Sequence, residues 1–303
     1  MPHPHHEHAG NSSGDTLHEP VCRWYAEHGR DLPWRHPDVT PWGVLVCEVM
    51  AQQTPVSRVD PAWRAWLARW PTPAALAADS PGEAVRMWDR LGYPRRALRL
   101  HAAATAITLD HGGQVPADVE VLLTLPGIGT YTANAVAAFA YGRRSVVVDT
   151  NVRRVLARAV SGAALPAPAL TAAETRLAAA LVPAQPEPAA RWNIAVMELG
   201  ALVCTARSPA CERCPIRAQC AWQRAGAPPH TGPARRGQAW AGTDRQVRGA
   251  LMAVLRGASA PVGRTDLLAA WPQESDRASR CLDSLVRDGL AEPLEGDRFA
   301  LPS

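Results

Sequence analysis

The sequence predicts an all-α protein. Between about Leu17 and Trp222 the apolar residues recur at three- and four-residue spacing, as they do in Val59–Leu67 and Ala97–Leu109. This spacing places them on one face of a helix. Only Ser145–Val148 reads as an extended stretch, and it is short. A hydrophobic fraction of 47% and a charged fraction of 20% indicate a globular chain with its own core.

The two ends of the chain differ from this helical part. Residues 1–16 are polar, and we expect a disordered tail there. Residues 223–243 are rich in Gly, Pro and Arg and are predicted to form a linker. Beyond it, helices are predicted at Arg245–Arg256, Arg264–Ala270 and Asp276–Asp288, and then a hairpin over Leu290–Leu301 with its turn at Glu295–Asp297. Three helices and a hairpin are typical of a winged helix, so residues 244–303 are predicted to be a winged-helix-like domain.

Composition excludes several classes of protein. All 32 residues in the combined count of lysine and arginine are arginines, so no lysine can act as a base or form a Schiff base, and only the N-terminal amine could replace it. No apolar run reaches the roughly 18–20 residues that a membrane helix needs. There is no secretory signal, so seven cysteines do not suggest a disulfide framework, and we expect a cytoplasmic protein. A net charge of +4 is compatible with binding to nucleic acid but does not indicate it.

Four of the cysteines form a cluster in the sequence. Cys204, Cys211, Cys214 and Cys220 have the spacing C-x6-C-x2-C-x5-C, which indicates a metal site. Zinc accepts four thiolates, but zinc modules usually contain two C-x2-C pairs, and only one is present here. A 4Fe–4S cluster tolerates looser spacing, so the pattern favours iron–sulfur while leaving zinc open.

Two carboxylic acids have contrasting surroundings. Glu48 lies in the apolar part of a helix that follows a Thr40-Pro41 start, so burial should raise its pKa and suit it to act as a general acid. For an isolated glutamate, pairing with an arginine in the core is the commoner explanation. Asp149 stands at the N-cap of the helix that follows Val148, where the helix dipole and free N–H groups should keep it ionised, although a purely capping aspartate is the commoner explanation for such a residue. A protonated acid beside an ionised carboxylate is the pair that cleavage of a glycosidic bond requires.

The segment Leu125–Ala133, LPGIGTYTA, closes one element and opens a helix. Gly127 and Gly129 permit a tight turn and close approach by a ligand. Backbone N–H groups at such a helix start can hold a phosphate, although an ordinary helix–helix turn explains the pattern equally well.

Taken in order, these motifs resemble the helix–hairpin–helix iron–sulfur DNA glycosylases of the endonuclease III-like superfamily, and most closely the MutY family of A/G-specific adenine glycosylases. The resemblance covers about residues 17–222. It rests on Arg30–Arg35, the Glu48 helix through Thr54, Leu91–Tyr93, the hairpin, Val148–Leu156, and Glu198 into the cysteine cluster. It implies a two-lobed fold with a 4Fe–4S cluster loop. A cluster lobe would combine 17–35 with 144–222, and a six-helix lobe would span 36–143.

The resemblance implies that the protein excises adenine opposite 8-oxoguanine or guanine in double-stranded DNA, after flipping it out of the duplex. Glu48 matches the acid that protonates adenine N7, and Asp149 matches the carboxylate that stabilises the sugar cation. Asn151 matches the asparagine that orders the site around Asp149. The cysteine spacing matches the 4Fe–4S loop of the family, which favours iron over zinc. The protein would then be associated with the nucleoid.

Further residues match DNA and substrate contacts of the family. Arg30, Leu32 and Trp34 match the pocket edge, and Gln53 matches the glutamine that wedges into the duplex, with Gln52 beside it as a DNA contact. Gly127 and Gly129 match the hairpin that grips phosphate, often with a bound monovalent cation. Arg153 is a candidate phosphate contact within an Arg-rich set that also contains Arg143, Arg144 and Arg154.

Tyr131 occupies the position of the nucleophilic lysine in bifunctional relatives. A phenol cannot form a Schiff base, and the chain has no lysine, so a monofunctional glycosylase without β-lyase activity is expected.

The chain departs from the family at four places. Pro94 replaces a second tyrosine beside the oxidised guanine, Ile194 replaces a polar residue that contacts adenine, and Ala51 replaces a leucine. The last 60 residues are too few for the usual domain that resembles a Nudix hydrolase and reads the oxidised guanine. Two alternatives therefore stay open: a thymine or uracil mismatch glycosylase of the same fold, and a non-enzymatic iron–sulfur regulator that binds DNA.

Overall fold

The computed structural model describes residues 12–232 and 242–303. The chain divides into two compact units. One combines Met1–Val39 with Thr130–Pro233, and the other combines Thr40–Gly129 with Ala234–Ser303. The corresponding boundaries predicted from the sequence are at residues 35 and 143. No helix in the described residues is long and apolar enough to cross a membrane.

The described residues are mostly helical, as predicted. The α-helices are α1 (Ser12–His28), α2 (Pro41–Ala51), α3 (Val56–Arg69), α4 (Pro73–Ala77), α5 (Pro81–Trp88), α6 (Arg95–Asp110), α7 (Val119–Thr124), α8 (Thr130–Tyr141), α9 (Thr150–Ala159), α10 (Ala172–Leu181), α11 (Pro186–Leu202), α12 (Ala221–Arg224), α13 (Asp244–Gly257), α14 (Arg264–Leu268) and α15 (Ser275–Arg287). Short 3-10 helices lie at Pro33–Arg35, Asp89–Leu91, Cys211–Arg213 and Pro272–Glu274.

Helix α2 begins where the sequence predicts. The Thr40 hydroxyl accepts a hydrogen bond of 3.2 Å from the Gly43 N–H, and Pro41 fills the first helical position, where no N–H is needed. Every residue from Trp42 to Met50 is buried. The helix is therefore embedded in its unit rather than lying on the surface.

Three tryptophans form the centre of the second unit. Trp66, Trp70 and Trp88 are almost fully buried. The Trp66 ring packs edge-on against the other two, with ring centres 4.6 and 5.6 Å apart. The indole N–H of Trp42 donates to the Trp70 carbonyl at 3.0 Å, so the start of α2 is fixed to the end of α3.

The core of the first unit is built by α1, α9, α10 and α11. Val21, Val155, Trp192 and Leu199 are among its buried residues. The predicted extended stretch Ser145–Val148 is neither helix nor strand in the structure. The buried Asn193 side chain donates to the Ser145 carbonyl at 2.9 Å, so a side chain rather than a sheet satisfies this backbone group.

Residues 244–303, called the C-terminal module below, contain α13, α14, α15 and three short strands. The strands are β1 (Val262–Gly263), β2 (Glu292–Leu294) and β3 (Arg298–Ala300). They form an antiparallel sheet in the order β1-β3-β2, and Pro293 pairs with Phe299. The predicted hairpin is therefore present. The element order is the one that a winged helix has, and that assignment stays a prediction.

Two predicted segments differ from the structure. Helix α1 starts at Ser12, inside the predicted tail 1–16, because a helix anchored by buried Leu17 and Val21 extends upstream at little cost. Residues 1–11 lie outside the described part of the chain. The first residues of the predicted linker 223–243 belong to helix α12. Linker residues 233–241 also lie outside the described part of the chain.

Candidate functional site

Glu48 lies in the buried part of α2. The residue is 8% exposed, and its neighbours Cys47 and Val49 are also buried. The structure thus places Glu48 in the apolar surroundings that its sequence neighbours predict. Its role as an acid remains a prediction.

Asp149 is the N-cap of α9. One carboxylate oxygen accepts a hydrogen bond of 2.7 Å from the Val152 N–H, and the other accepts one of 2.7 Å from the Asn151 side chain. The carboxylate is therefore held in one orientation. Burial raises the pKa of Asp149, and although these hydrogen bonds and nearby Arg154 oppose that change, the net shift is upward. The N-cap position predicts the hydrogen bonds that favour the ionised form, whereas the burial that opposes them depends on the tertiary fold.

A hydrogen-bonded chain leads from Asp149 to the cysteine loop. Arg154 donates to the Asn151 side-chain oxygen at 2.7 Å, to the Gly200 carbonyl at 2.6 Å and to the Cys204 carbonyl at 2.5 Å. Gly200 permits this approach, because a Cβ atom there would lie 2.7 Å from the Asn151 Cβ. Asn151 thus orders Asp149, and Arg154 orders Asn151.

Glu198 is the centre of a buried ion cluster. Its side chain is fully buried and accepts hydrogen bonds from Arg30 at 2.5 and 3.0 Å and from Arg35 at 2.7 Å. Burial alone would raise the pKa of Glu198, but the two arginines outweigh it and lower the pKa to about 2. Arg30, predicted at the pocket edge, is therefore engaged with Glu198. Glu198 was not among the predicted site residues, although an acid between Met197 and Leu199, in the apolar second half of α11, is a signal that the sequence offers.

The other two predicted pocket-edge residues lie between these arginines in the chain. Leu32 is 8% exposed and immediately precedes the 3-10 helix Pro33–Arg35. Trp34 lies within that helix and is partly exposed. Their contacts with substrate stay predictions.

Tyr131 is the second residue of α8. It is partly buried and packs against a cluster formed by Ala135, Ala138 and Val147. A phenol supplies no amine for a Schiff base, which fits hydrolysis without lyase chemistry.

The two hairpin glycines have different structural requirements. Gly127 adopts a φ of 77°, and a Cβ there would lie 2.6 Å from the Arg99 Cβ, so both conformation and packing require glycine. A Cβ on Gly129 would meet nothing within 4 Å, and its φ is not positive. The space beside Gly129 is therefore open to a ligand. The monovalent cation expected at this hairpin stays a prediction.

Arg96 joins two turns that the sequence analysis treated separately. The side chain of this buried arginine donates to the carbonyls of Gln52 at 2.6 Å and Gly92 at 3.0 Å. These turns contain Gln53, with a φ of 55°, and Tyr93, with a φ of 48°, values that residues other than glycine rarely adopt. Burial lowers the pKa of Arg96 to about 10, so it stays charged at neutral pH.

The same guanidinium also fixes the end of α2. Arg96 donates to the Val49 carbonyl at 2.8 Å and the Met50 carbonyl at 3.1 Å, directly after Glu48. Arg96 was not among the predicted site residues, because nothing in Arg95-Arg96 distinguishes a buried arginine from a solvated one.

The arginines predicted to bind phosphate have protein partners. The Arg153 side chain is 9% exposed and binds Glu174 at 2.8 Å and the Ala167 carbonyl at 2.8 Å. Arg144 donates to the Pro183 carbonyl at 2.9 Å. These contacts give both residues a structural role, so their contacts with DNA stay predictions that the geometry does not favour.

All four clustered cysteines line one pocket. The pocket also contains Arg158 and Gln223, which donate hydrogen bonds to the sulfurs of Cys204 at 3.3 Å and Cys211 at 3.2 Å. Four thiols with N–H donors directed at two of the sulfurs form a donor set that suits an iron–sulfur cluster.

A single zinc ion and an iron–sulfur cluster place four thiolates differently. In residues 12–232 and 242–303, no three His, Cys, Asp or Glu side chains are grouped so as to hold one metal ion. Four thiolates on one zinc would lie about 3.8 Å apart, given a Zn–S distance of about 2.3 Å. In a cubane each thiolate binds a different iron, so the ligands surround a larger volume.

Comparison with known proteins agrees with this geometry. The family described as "HhH-GPD superfamily base excision DNA repair protein" matches residues 46–179, and the "iron-sulfur binding domain of endonuclease III" matches residues 204–220. The protein therefore has an iron–sulfur cluster site of the 4Fe–4S type, formed by its four clustered cysteines.

Similar proteins extend beyond these two regions. The adenine DNA glycosylase of Mycobacterium tuberculosis (strain CDC 1551 / Oshkosh) is 52% identical over 93% of this chain and 92% of its own length. That of Mycolicibacterium smegmatis is 55% identical over 93% of this chain and 94% of its own length. A solved thermostable thymine-DNA glycosylase covers 72% of this chain and 100% of its own, with a TM-score of 0.64 and 26% identity. The chain therefore belongs to the adenine DNA glycosylase family of base excision repair proteins.

Proposed function

We propose that this protein is a monofunctional glycosylase that hydrolyses the bond between adenine and deoxyribose where adenine is paired with 8-oxoguanine or guanine in duplex DNA. The observation that carries the proposal is the orientation of Asp149, whose two oxygens are fixed by Val152 and Asn151. Similarity to adenine DNA glycosylases over almost the whole chain supports adenine as the base released.

In the proposed reaction the adenine is flipped out of the duplex. Glu48 donates a proton to adenine N7, and the electron pair of the C1′–N9 bond leaves with the base. The carboxylate of Asp149 stabilises the positive charge that develops on the sugar. Water then adds to C1′, and its proton returns to Glu48, which regenerates the acid and leaves an abasic site.

The iron–sulfur cluster would be held by Cys204, Cys211, Cys214 and Cys220. When bound, it supplies cross-links that fix the loop between these residues. Through Arg154 that loop also shares hydrogen bonds with Asn151, so an ordered loop would help to hold Asp149.

A thymine or uracil glycosylase is the second candidate, because the chain shares its fold with a thymine-DNA glycosylase. Ile194 and Pro94 are the sites at which this sequence departs from the adenine-specific pattern. The base that is released distinguishes the two candidates.

The test uses purified, cluster-loaded protein and duplexes that carry A:8-oxoguanine, A:G, T:G or U:G. We expect release of adenine, and strand cleavage only after alkali treatment, because no lysine side chain is present to form a Schiff base. Release of thymine or uracil in place of adenine would refute the proposal. Release from no duplex would also refute it and would favour a DNA-binding regulator.

Variants of Glu48 test whether this residue is the general acid. Glu48→Gln should abolish base release while duplex binding persists. Glu187→Gln is the matched control, because this glutamate is exposed and pairs only across the surface with Arg191. Full activity of Glu48→Gln would show that another group protonates the base.

A further inference from the structure

The C-terminal module is fixed to α5 and α6 within the second unit. Arg86 donates hydrogen bonds to the carbonyls of Arg256 and, at 3.1 Å, Ala258. In return Arg256 donates to the Val85 carbonyl at 3.2 Å. A Cβ on Gly82 would lie 2.3 Å from the Pro302 carbonyl oxygen, so the module meets α5 through backbone contact.

Ion pairs extend this contact between the C-terminal module and α5, called the seam below, toward α6. Asp288, at the end of α15, binds Arg95 at 3.0 Å and Arg248 of α13 at 2.5 Å. The start of α6 and the module are therefore held together next to the Gly92–Tyr93 turn. This turn directly precedes α6 in the chain.

At this turn the module places an arginine on an aromatic ring. The guanidinium carbon of Arg245, in the first turn of α13, lies 4.6 Å from the centre of the Tyr93 ring. The guanidinium of Arg96 lies 5.7 Å from the same centre. Tyr93 nevertheless remains 41% exposed, in a backbone conformation that costs energy for a tyrosine. An exposed aromatic ring with arginines around it is typical of surfaces on which nucleic acid bases stack.

The turn that contains Tyr93 and the turn that contains Gln53 are held by the same arginine. Arg96 binds the carbonyls of both Gln52 and Gly92, so the backbone that carries Tyr93 and the backbone that carries Gln53 are attached to one guanidinium. If Gln53 enters the duplex, as its match to the wedging glutamine of the family implies, the Tyr93 ring would lie at the same mispair.

Helix α15 of the module does not provide a comparable DNA surface. Helix α15, which would read DNA in a winged helix, exposes Asp276 and Asp283 as well as Arg280 and Arg287. Its mixed charge gives no electrostatic attraction for a phosphate backbone. The contact with Tyr93 is therefore the feature of the module that points to DNA.

We propose that Arg245 is a positioning residue, through which the C-terminal module holds the Tyr93 ring for stacking on a DNA base at the mispair. This inference rests on the proposed function, because it assumes that the mispair is bound at the Gln53 turn. In this protein the module would contribute to recognition through Tyr93 rather than by touching the base itself.

The test compares Arg245→Gln and Arg245→Lys with Arg280→Gln, an exposed arginine of the same module away from the seam. The readouts are the affinity for a mispaired duplex, its salt dependence, and the fluorescence of 2-aminopurine placed next to the mispair. We expect both Arg245 variants to weaken binding by about five- to tenfold and to reduce stacking, because lysine cannot form the planar contact. Arg280→Gln should behave as wild type.

Two results separate positioning from other roles. If Arg245 instead contacted a phosphate, Arg245→Lys would keep that contact and bind DNA like the wild type. Arg245→Gln would lose it, and the slope of log affinity against log salt concentration would fall by about one. Either result would overturn the proposal. In a double-mutant cycle, Tyr93→Ala with Arg245→Gln should be no worse than Tyr93→Ala alone. Additive losses would show that Arg245 acts independently of Tyr93. Thermal unfolding of each variant excludes misfolding as the cause.

The same experiment separates this inference from the proposed function. The duplex carries whichever mispair the wild-type protein processes, as the four-duplex assay reveals. Release of thymine instead of adenine would refute the proposed function and leave the contact between Arg245 and Tyr93 testable by binding and fluorescence. Wild-type affinity and stacking in Arg245→Gln would refute the inference and leave adenine excision intact.

Discussion

Arg154 donates a hydrogen bond of 2.7 Å to the side-chain oxygen of Asn151. The same guanidinium also holds the carbonyl of Cys204, the first cysteine of the cluster loop. Asn151 in turn holds Asp149. The proposed catalytic carboxylate and the cluster loop are therefore connected by three successive hydrogen bonds. A change at Arg154 should affect both the orientation of Asp149 and the order of the cluster loop.

Replacement of Arg154 by methionine should slow base release by about 10- to 100-fold, the usual effect of losing a partner that orders a ligand or catalytic group. The iron content of the purified variant should also fall. Single-turnover kinetics and iron analysis measure the two effects. Arg176→Met is the control, because Arg176 is exposed on α10. Unchanged rate and iron content in Arg154→Met would show that the connection has no functional role.

Removal of the Asn151 side chain should shift the pH dependence of base release. Asn151 donates a hydrogen bond to the ionised form of Asp149, so Asn151→Ala should raise the pKa of Asp149 further above its usual value. Because the proposed reaction needs ionised Asp149, the acid limb of the pH–rate profile should move to higher pH. Thr150→Ala, an exposed neighbour, should leave the limb in place. A limb that stays at its wild-type pH in Asn151→Ala would exclude Asp149 as the group it reports.

Local features of this site were predictable from sequence, and long-range ones were not. The N-cap position of Asp149 follows from the residues around it, and the cysteine spacing identifies its own site. Three of the carbonyls that Arg96 binds lie 44 to 47 residues away, on α2 and in the turn that follows it. Glu198 lies 168 residues from Arg30. Such pairs depend on how helices pack, which periodicity does not encode. Burial of Asp149 was missed for the same reason.

The ion cluster at Glu198 should make stability depend on pH in an acidic range. The pKa of Glu198 is lowered from 4.5 to about 2, so its stabilising contribution is fully present above pH 4.5 and is lost as the pH falls toward 2. The shift corresponds to about 3 kcal/mol. Glu198→Gln should lose stability at pH 7, because two arginines lose their shared partner, and its free energy of unfolding should vary less between pH 4.5 and 2. Chemical denaturation at several pH values measures this.

An exposed pair provides the comparison for that experiment. Glu187→Gln breaks a surface ion pair with Arg191 and should change stability by less than about 1 kcal/mol. If Glu198→Gln changed the free energy of unfolding at pH 7 as little as Glu187→Gln does, and kept the wild-type pH dependence of stability, the ion cluster would not contribute to stability as its geometry indicates.

Alanine substitutions at the two hairpin glycines should have different effects, one on stability and the other on DNA binding. Gly127→Ala forces a side chain into a φ of 77° and against Arg99, so it should lower thermal stability, by about 1 kcal/mol or more. Gly129→Ala meets no protein atom within 4 Å, so it should fold normally and bind duplex DNA more weakly, because its methyl group fills the space proposed for the DNA backbone. Gly257→Ala is the control, since that site is equally open and lies on the C-terminal module. If Gly129→Ala bound DNA as tightly as Gly257→Ala, the open space at the hairpin would not be where the phosphate lies.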